Sequence, residues 1–74
     1  MRPTITRPEF VRDNVDLLAD FRERKNMTRM KLSELTGIKL GMIEHYEHGY
    51  QLPTRANYNK LAEVFGWEKW EAQS

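Results

Sequence analysis

Apolar residues recur along this chain at intervals of three and four, and the rhythm resets wherever an asparagine, threonine or glycine interrupts it. Val15, Leu18, Phe21 and Arg22 share one face at helical spacing, with Leu17 beside it, so they predict a first helix. Two starts are open. Thr6-Arg7-Pro8-Glu9 has the form of a capping box with proline in the first turn and would begin the helix near Pro8; the alternative start is near Asn14. The helix runs to about Lys25, and Asn26 breaks the pattern. Thr28 is placed to cap a second helix through its side-chain oxygen. That helix spans about Arg29 to Thr36, with Leu32 and Leu35 inward, and Gly37 ends it. Ile38 anchors the turn that follows. A third helix covers about Leu40 to His48, with Ile43 and Tyr46 inward; Gly49 stops it, and Tyr50 to Pro53 form a loop. Thr54 caps a fourth helix from Arg55 to Phe65, which has Tyr58, Leu61, Ala62 and Phe65 on its apolar side and Gly66 at its end. Trp67 to Ala72 could form one further turn or short helix. No strand-like alternation competes, so the expected fold is all-α, a compact arrangement of four to five helices.

Within this pattern the stretch TRMKLSELTGIKLGMIEHYEH, Thr28 to His48, has the layout of two short helices joined by a tight turn. With Arg29 as the first position, the small Ser33 is fifth, Gly37 ninth and the β-branched Ile43 fifteenth. The fifth residue faces the fifteenth where two such helices cross, so one of them must be small. The ninth sits in the turn, where a positive φ is cheap only for glycine. Leu32, Ile38 and Tyr46 fill the other inward positions. Such a unit commonly carries a helix into the major groove of DNA.

Length and charge narrow the picture. At 74 residues the chain is one small domain, which buries only roughly 60% of its unfolded surface. We divide it into a flexible arm, residues 1–7, and a helical domain, residues 8–74. There is no cysteine, so neither a disulfide framework nor a thiolate metal site is available, and a reducing cytoplasm is the expected location. No apolar run approaches the roughly 18 residues of a membrane span, and the N-terminus lacks an apolar signal core. The net charge is only +1, but it is polarised. Arg22 to Lys39 holds six basic and two acidic residues, a net of +4, whereas Leu40 to Ser74 holds three basic and five acidic, a net of −2. Beside the two-helix unit, that positive stretch suits a phosphate-facing rim.

The residues Met27-Thr28, Leu32-Ser33-Glu34-Leu35-Thr36-Gly37-Ile38, Ile43, Tyr46, Glu47, Gly49 and Pro53 stand in order without gaps. In this they resemble the helix-turn-helix of the lambda-repressor and Cro family, which includes the XRE-type regulators. Leu18, Phe21 and Arg22 match the first helix of such domains, and Leu61, Ala62 and Phe65-Gly66-Trp67 match the fourth helix and its exit. The resemblance covers about residues 14 to 70. It implies a homodimeric regulator of transcription, a repressor of the Cro type, on double-stranded DNA. The expected target is a pseudo-palindromic operator with half-sites about one helical turn apart. At this length no ligand-sensing domain is expected, an economy shared by small phage or mobile-element regulators.

The resemblance also implies roles for residues. Arg22 and Glu47 would pair and lock the recognition helix against helix one, an architectural function shared with Ser33, Gly37 and Ile43. Base-edge positions fall on Lys39, Leu40, Gly41 and His45, with Glu44 beside them. Lys39 suits guanine O6 and N7, Glu44 suits cytosine N4, and Leu40 suits only a thymine methyl; Gly41 lets backbone come close. Family members commonly carry polar side chains where Leu40 and Gly41 stand. Those two residues, with Glu44 and the low net charge, therefore suit an alternative: a protein-interaction module that keeps the fold but no longer reads an operator. Phosphate contacts fall on Thr28, Arg29 and Arg55, with Tyr50 and Gln51 in the same loop. Of the two tryptophans, Trp67 is expected in the core and Trp70 at the twofold interface. Among the methionines, Met27 reads as core, and Met30 and Met42 as exposed or half-buried filler.

Catalysis and metal binding find no support. His45 and His48 are three apart and do not make the HExxH spacing. No convergent pair of carboxylates and no glycine-rich phosphate loop is present. We therefore expect no enzymatic activity, no cofactor and no metal.

Overall fold

The computed structural model describes residues 7–71. Its order is α1 (Glu9–Asp16), α2 (Leu18–Arg24), α3 (Arg29–Thr36), α4 (Leu40–Glu47) and α5 (Arg55–Phe65), and there is no strand among the described residues. The arm expected over residues 1–7 lies outside the described residues, apart from Arg7. So does Thr6, the first residue of the expected capping box. The N-cap of α1 is Pro8, which makes no side-chain cap bond. The earlier of the two expected starts is therefore the one observed.

The single first helix expected from the periodicity is two helices. Leu17 interrupts it with φ −104° and ψ 12°. Its amide bonds to the carbonyl of Asn14, three residues back, at 3.1 Å, so the chain overwinds for one turn. Val11, Val15 and Leu18 remain inside at 0%, 2% and 0% exposure, and Leu17 is pushed to the surface. The apolar spacing continues across the break, so the pattern carries no sign of it. Both α1 and α2 pack on α4.

The turn between α3 and α4 is held by two hydroxyls. Gly37 adopts φ 75° and closes α3. The Ser33 hydroxyl donates to the carbonyl of Ile38 at 2.6 Å, and the Thr36 hydroxyl accepts from the amide of Ile38 at 3.2 Å. Thr36 also donates to the carbonyl of Leu32 at 2.8 Å. Both backbone groups of the turn's central residue are thus satisfied by side chains, and Ile38 is buried. Leu35, expected inward, is 53% exposed. A helix of eight residues buries a narrow stripe, and Leu32 and Thr36, four apart, occupy it.

Tyr58 of α5 is the centre of an aromatic core. It stacks on Trp67 at 5.5 Å and meets Trp70 edge-on at 6.4 Å, with Phe10 of α1 at 6.1 Å. Its hydroxyl donates to the carbonyl of Glu68 and accepts from Asn14 Nδ2, both at 2.9 Å. The segment after α5 forms not a further helical turn but an irregular strap. Asn59 pins the strap through its side-chain amide, which donates to the Trp70 carbonyl at 2.9 Å and accepts from the Trp70 amide at 2.8 Å. Trp70, expected at an interface between copies, is only 8% exposed within its own chain. Arg7 lies over its ring, 5.4 Å from the centroid. With so few residues available for a core, the large ring is drawn inward.

Thr36→Val keeps the shape of this side chain but leaves the buried Ile38 amide without its acceptor. It should cost about 1–3 kcal/mol in a urea unfolding curve, and the Ile38 amide should lose hydrogen-exchange protection.

Candidate nucleic-acid interface

Capping determines where α3 and α4 begin. Thr28 Oγ1 accepts from the Lys31 amide at 3.0 Å, so the first turn of α3 starts at Arg29. Lys39, the N-cap of α4, makes no side-chain cap bond. The far end of α4 closes in a Schellman motif. Gly49 takes φ 77°, its amide bonds to the carbonyl of Tyr46 at 3.2 Å, and the Tyr50 amide reaches the carbonyl of His45 at 3.0 Å.

The posture of α4 depends on Glu47, whose side chain is 2% exposed. Arg22 of α2 grips it in a two-pronged fork along one edge of the guanidinium: Nε donates to Oε2 at 2.7 Å and Nη2 to Oε1 at 3.3 Å. The remaining Arg22 nitrogen, Nη1, donates to the Met27 carbonyl at 2.8 Å, which ties the α2–α3 connection into the same knot. Arg29 supplies a second guanidinium, its Nε donating to Glu47 Oε1 at 2.8 Å. One buried carboxylate therefore accepts from two cations and joins α2, α3 and α4. Burial alone pushes the Glu47 carboxyl up, but the hydrogen bonds and charges of Arg22 and Arg29 outweigh it and hold the group below its ordinary 4.5.

Arg29, expected to contact phosphate, is also engaged within the fold: its Nε donates to Glu47, and its Nη1 lies 3.9 Å from Glu44 Oε2. Its side chain is still 38% exposed. Positions 29 and 47 lie on different helices, and no spacing rule within a sequence links them. A second link also had no local signal: Asn57 Nδ2 of α5 donates to the buried Tyr46 hydroxyl at 3.1 Å.

The structure brings several of the expected contact residues together. Thr28, Arg29, Leu40 and Glu44, with Arg22 and Met30, line an open cleft of about 500 Å3 between the N-terminal ends of α3 and α4. Lys39, Gly41 and His45 are exposed, and Leu40 and Glu44 are half-buried. Tyr50, 75% exposed, extends this side of the molecule past the end of α4. Its ring meets His45 edge-on at 5.8 Å and stacks on His48 at 5.4 Å. His48 in turn places Nδ1 2.9 Å from the Glu44 carbonyl. Gln51 and Arg55 are exposed, but no hydrogen bond or ion pair among the described residues ties either to the others. Thr54 Oγ1 caps α5 by accepting from the Asn57 amide at 3.2 Å, which sets Arg55 at the first position of that helix. No group of three or more His, Asp or Glu residues suited to a metal is formed among the described residues. No helix among them is long and apolar enough to cross a membrane.

Two short helices at a fixed turn, with the second locked from behind and open in front, define a helix-turn-helix protein. The family model described as Helix-turn-helix matches residues 18–69, and the chain belongs to that family, in its lambda-repressor and XRE-like form. The family is one of DNA-binding regulatory domains and is not typically enzymatic. No curated protein and no solved structure gives a significant match.

Removing the carboxylate by Glu47→Ala strands the guanidinium of Arg22, 11% exposed, and should lower unfolding stability by about 3 kcal/mol or more. The sign of the pH dependence follows from the depressed carboxyl. The stability that Glu47 supplies is complete above its unfolded value near 4.5 and is lost as pH falls through the lower folded value. Thermal melts of the wild type should therefore fall on acidification below about that value. Those of Glu47→Gln, weaker at neutral pH, should fall less over the same range.

Proposed function

We propose that this chain is a sequence-specific transcriptional regulator of the repressor type that lays α4 in the major groove of duplex DNA. Lys39, Leu40, Gly41, Glu44 and His45 face base edges, and Thr28, Arg29, Tyr50, Gln51 and Arg55 approach the backbone. The observation that carries this proposal is the division of α4 into two sides. Ile43, Tyr46 and Glu47 are enclosed by the rest of the chain, whereas Lys39, Gly41 and His45 stand exposed at its start and front. The family membership supplies the ligand class. Two copies on a pseudo-palindrome, with half-sites about one helical turn apart, would give the operator its symmetry. Trp70 is not offered as the contact between them, because it is buried in its own chain.

One observation favours the rival role, an interaction module that does not read DNA. The open cleft presents the apolar Leu40 and Met30 beside Glu44, and the two arginines that share its lining, Arg22 and Arg29, are already engaged by Glu47.

Retention on nonspecific duplex DNA at low salt distinguishes the two roles. A DNA binder should be retained, and log Kobs should fall steeply with log salt. Arg55→Ala should weaken binding across sequences and lower the salt slope by about 1, as loss of a phosphate contact does, whereas Lys39→Ala should weaken binding and relax the base preference at the position it faces. Arg29 is left out of this set because its loss also loosens Glu47. If both variants bind as the wild type does, the proposed face is wrong; if the wild type is not retained at any salt, the interaction module is the better role.

A further inference from the structure

Among the described residues the large apolar side chains Leu17, Met30, Leu35 and Tyr50 are strongly exposed. Met30 lines the cleft between α3 and α4, and Tyr50 extends the same side through His45. Leu17 stands between the exposed carboxylates of Asp13, Asp16 and Asp20. Leu35 is placed differently. It is 53% exposed and lines a second groove, of about 340 Å3, between the end of α3 and the outer face of α5. Ala56, Lys60 and Val64 recur every four residues along that face, with Glu63 beside them, so one helix surface supplies most of the wall. Leu35, Ala56 and Val64 make the groove apolar, and Asn59, Lys60 and Glu63 give it a polar rim. No residue lines both this groove and the cleft, so an occupant of one leaves the other open.

We propose that this groove is the contact between two copies of the chain, paired about a twofold axis with their α5 helices antiparallel. It supplies the contact that two copies on a pseudo-palindrome require, and in that it rests on the function proposed above. The charges name the occupant. Lys60 and Glu63 are both exposed and three residues apart, so the face carries one charge of each sign. A polyanion such as nucleic acid would meet Glu63, and a strongly basic partner would meet Lys60. A twofold interface sets the same patch against itself, so that a residue i on a residue j implies j on i. With antiparallel helices, an axis midway between positions 60 and 63 puts Lys60 of each copy opposite Glu63 of the other. A parallel pairing would instead set Lys60 on Lys60. Glu63 already accepts from Lys69 Nζ within its own chain, at 2.6 Å, and a carboxylate has lone pairs for a second ammonium. Two opposite-charge contacts then flank an apolar seam of Leu35 and Val64 from each copy. The role expected of Trp70 passes to Leu35, which its own chain leaves uncovered.

Sedimentation equilibrium without DNA, from about 1 μM to about 1 mM chain, tests the pairing. The wild type should dimerise within that range. Leu35→Glu puts a charge into the apolar seam and should weaken self-association about tenfold or more. Because Leu35 is exposed in the single chain, that variant should melt as the wild type does at concentrations where both are monomeric. Lys60→Glu and Glu63→Lys should each weaken self-association about tenfold or more, since each sets like charges together twice. Mixed in equal amounts, with one of them isotope-labelled, these two charge variants should pair with each other at about wild-type affinity, read by native mass spectrometry. Damage to the fold by either substitution would not produce that rescue. A wild type that stays monomeric throughout overturns the proposal and leaves the groove to a different protein. A dimer indifferent to all three substitutions, or charge variants that do not rescue each other, overturns it as well. Retention on nonspecific duplex DNA, measured separately, keeps the two claims apart. A monomer that is retained contradicts the interface alone, and a dimer that is not retained contradicts the DNA-binding role alone.

Discussion

A single buried carboxylate organises this small domain. Glu47 has almost no contact with water, and a charge in that position is tolerable only when it is paired and fully hydrogen-bonded. Arg22 and Arg29 meet that requirement from two other helices, so the end of α4 cannot move without separating buried charges. The pairing serves as a positional constraint more than as a source of net stability, since removing two charges from water offsets most of their attraction. What it secures is orientation. The back of α4 is fastened at its last turn, and the front of the same helix is left open.

The other end of α4 is fixed by different means. The turn at Gly37 and Ile38 uses the hydroxyls of Ser33 and Thr36 to satisfy both backbone groups of Ile38, so a short connection carries no orphaned polar group into the core. Below it the fully buried Tyr58 packs among aromatic rings, and the Trp67–Trp70 strap closes over it. Asn59 and the exposed Lys69–Glu63 pair fasten that strap to α5. A domain of this size has little core to spare, and sending both tryptophans inward follows from that shortage.

Much of this arrangement was legible where its cause is local. Thr28 and Thr54 cap helices, as threonine before an apolar run suggests, and Gly37, Gly49 and Gly66 end them through positive φ. The Arg22–Glu47 pair was legible only through the family resemblance, since twenty-five residues separate the two partners. The exposure of Leu35, the break at Leu17 and the inward turn of Trp70 had no local signal. Each is decided by what the rest of the chain packs against, and hydrophobicity alone favours neither outcome for them. The second claim on Glu47 by Arg29 belongs with these, because a basic residue at a helix start is equally suited to a phosphate and to a neighbouring carboxylate. At the candidate interface the sequence showed which side chains were available, and the structure added which of them are already engaged.

Amide chemical-shift mapping by NMR, during titration of the uniformly labelled protein with a short duplex at low salt, tests most directly whether the locked helix presents a DNA-binding face. The expected result is a contiguous set of shifts over Thr28–Arg29, Lys39–His45, Tyr50–Gln51 and Arg55, with the amides of Ile43, Tyr58 and Leu61 little changed. Shifts confined to the separate groove lined by Leu35, Lys60 and Val64, or none along α4, would contradict it.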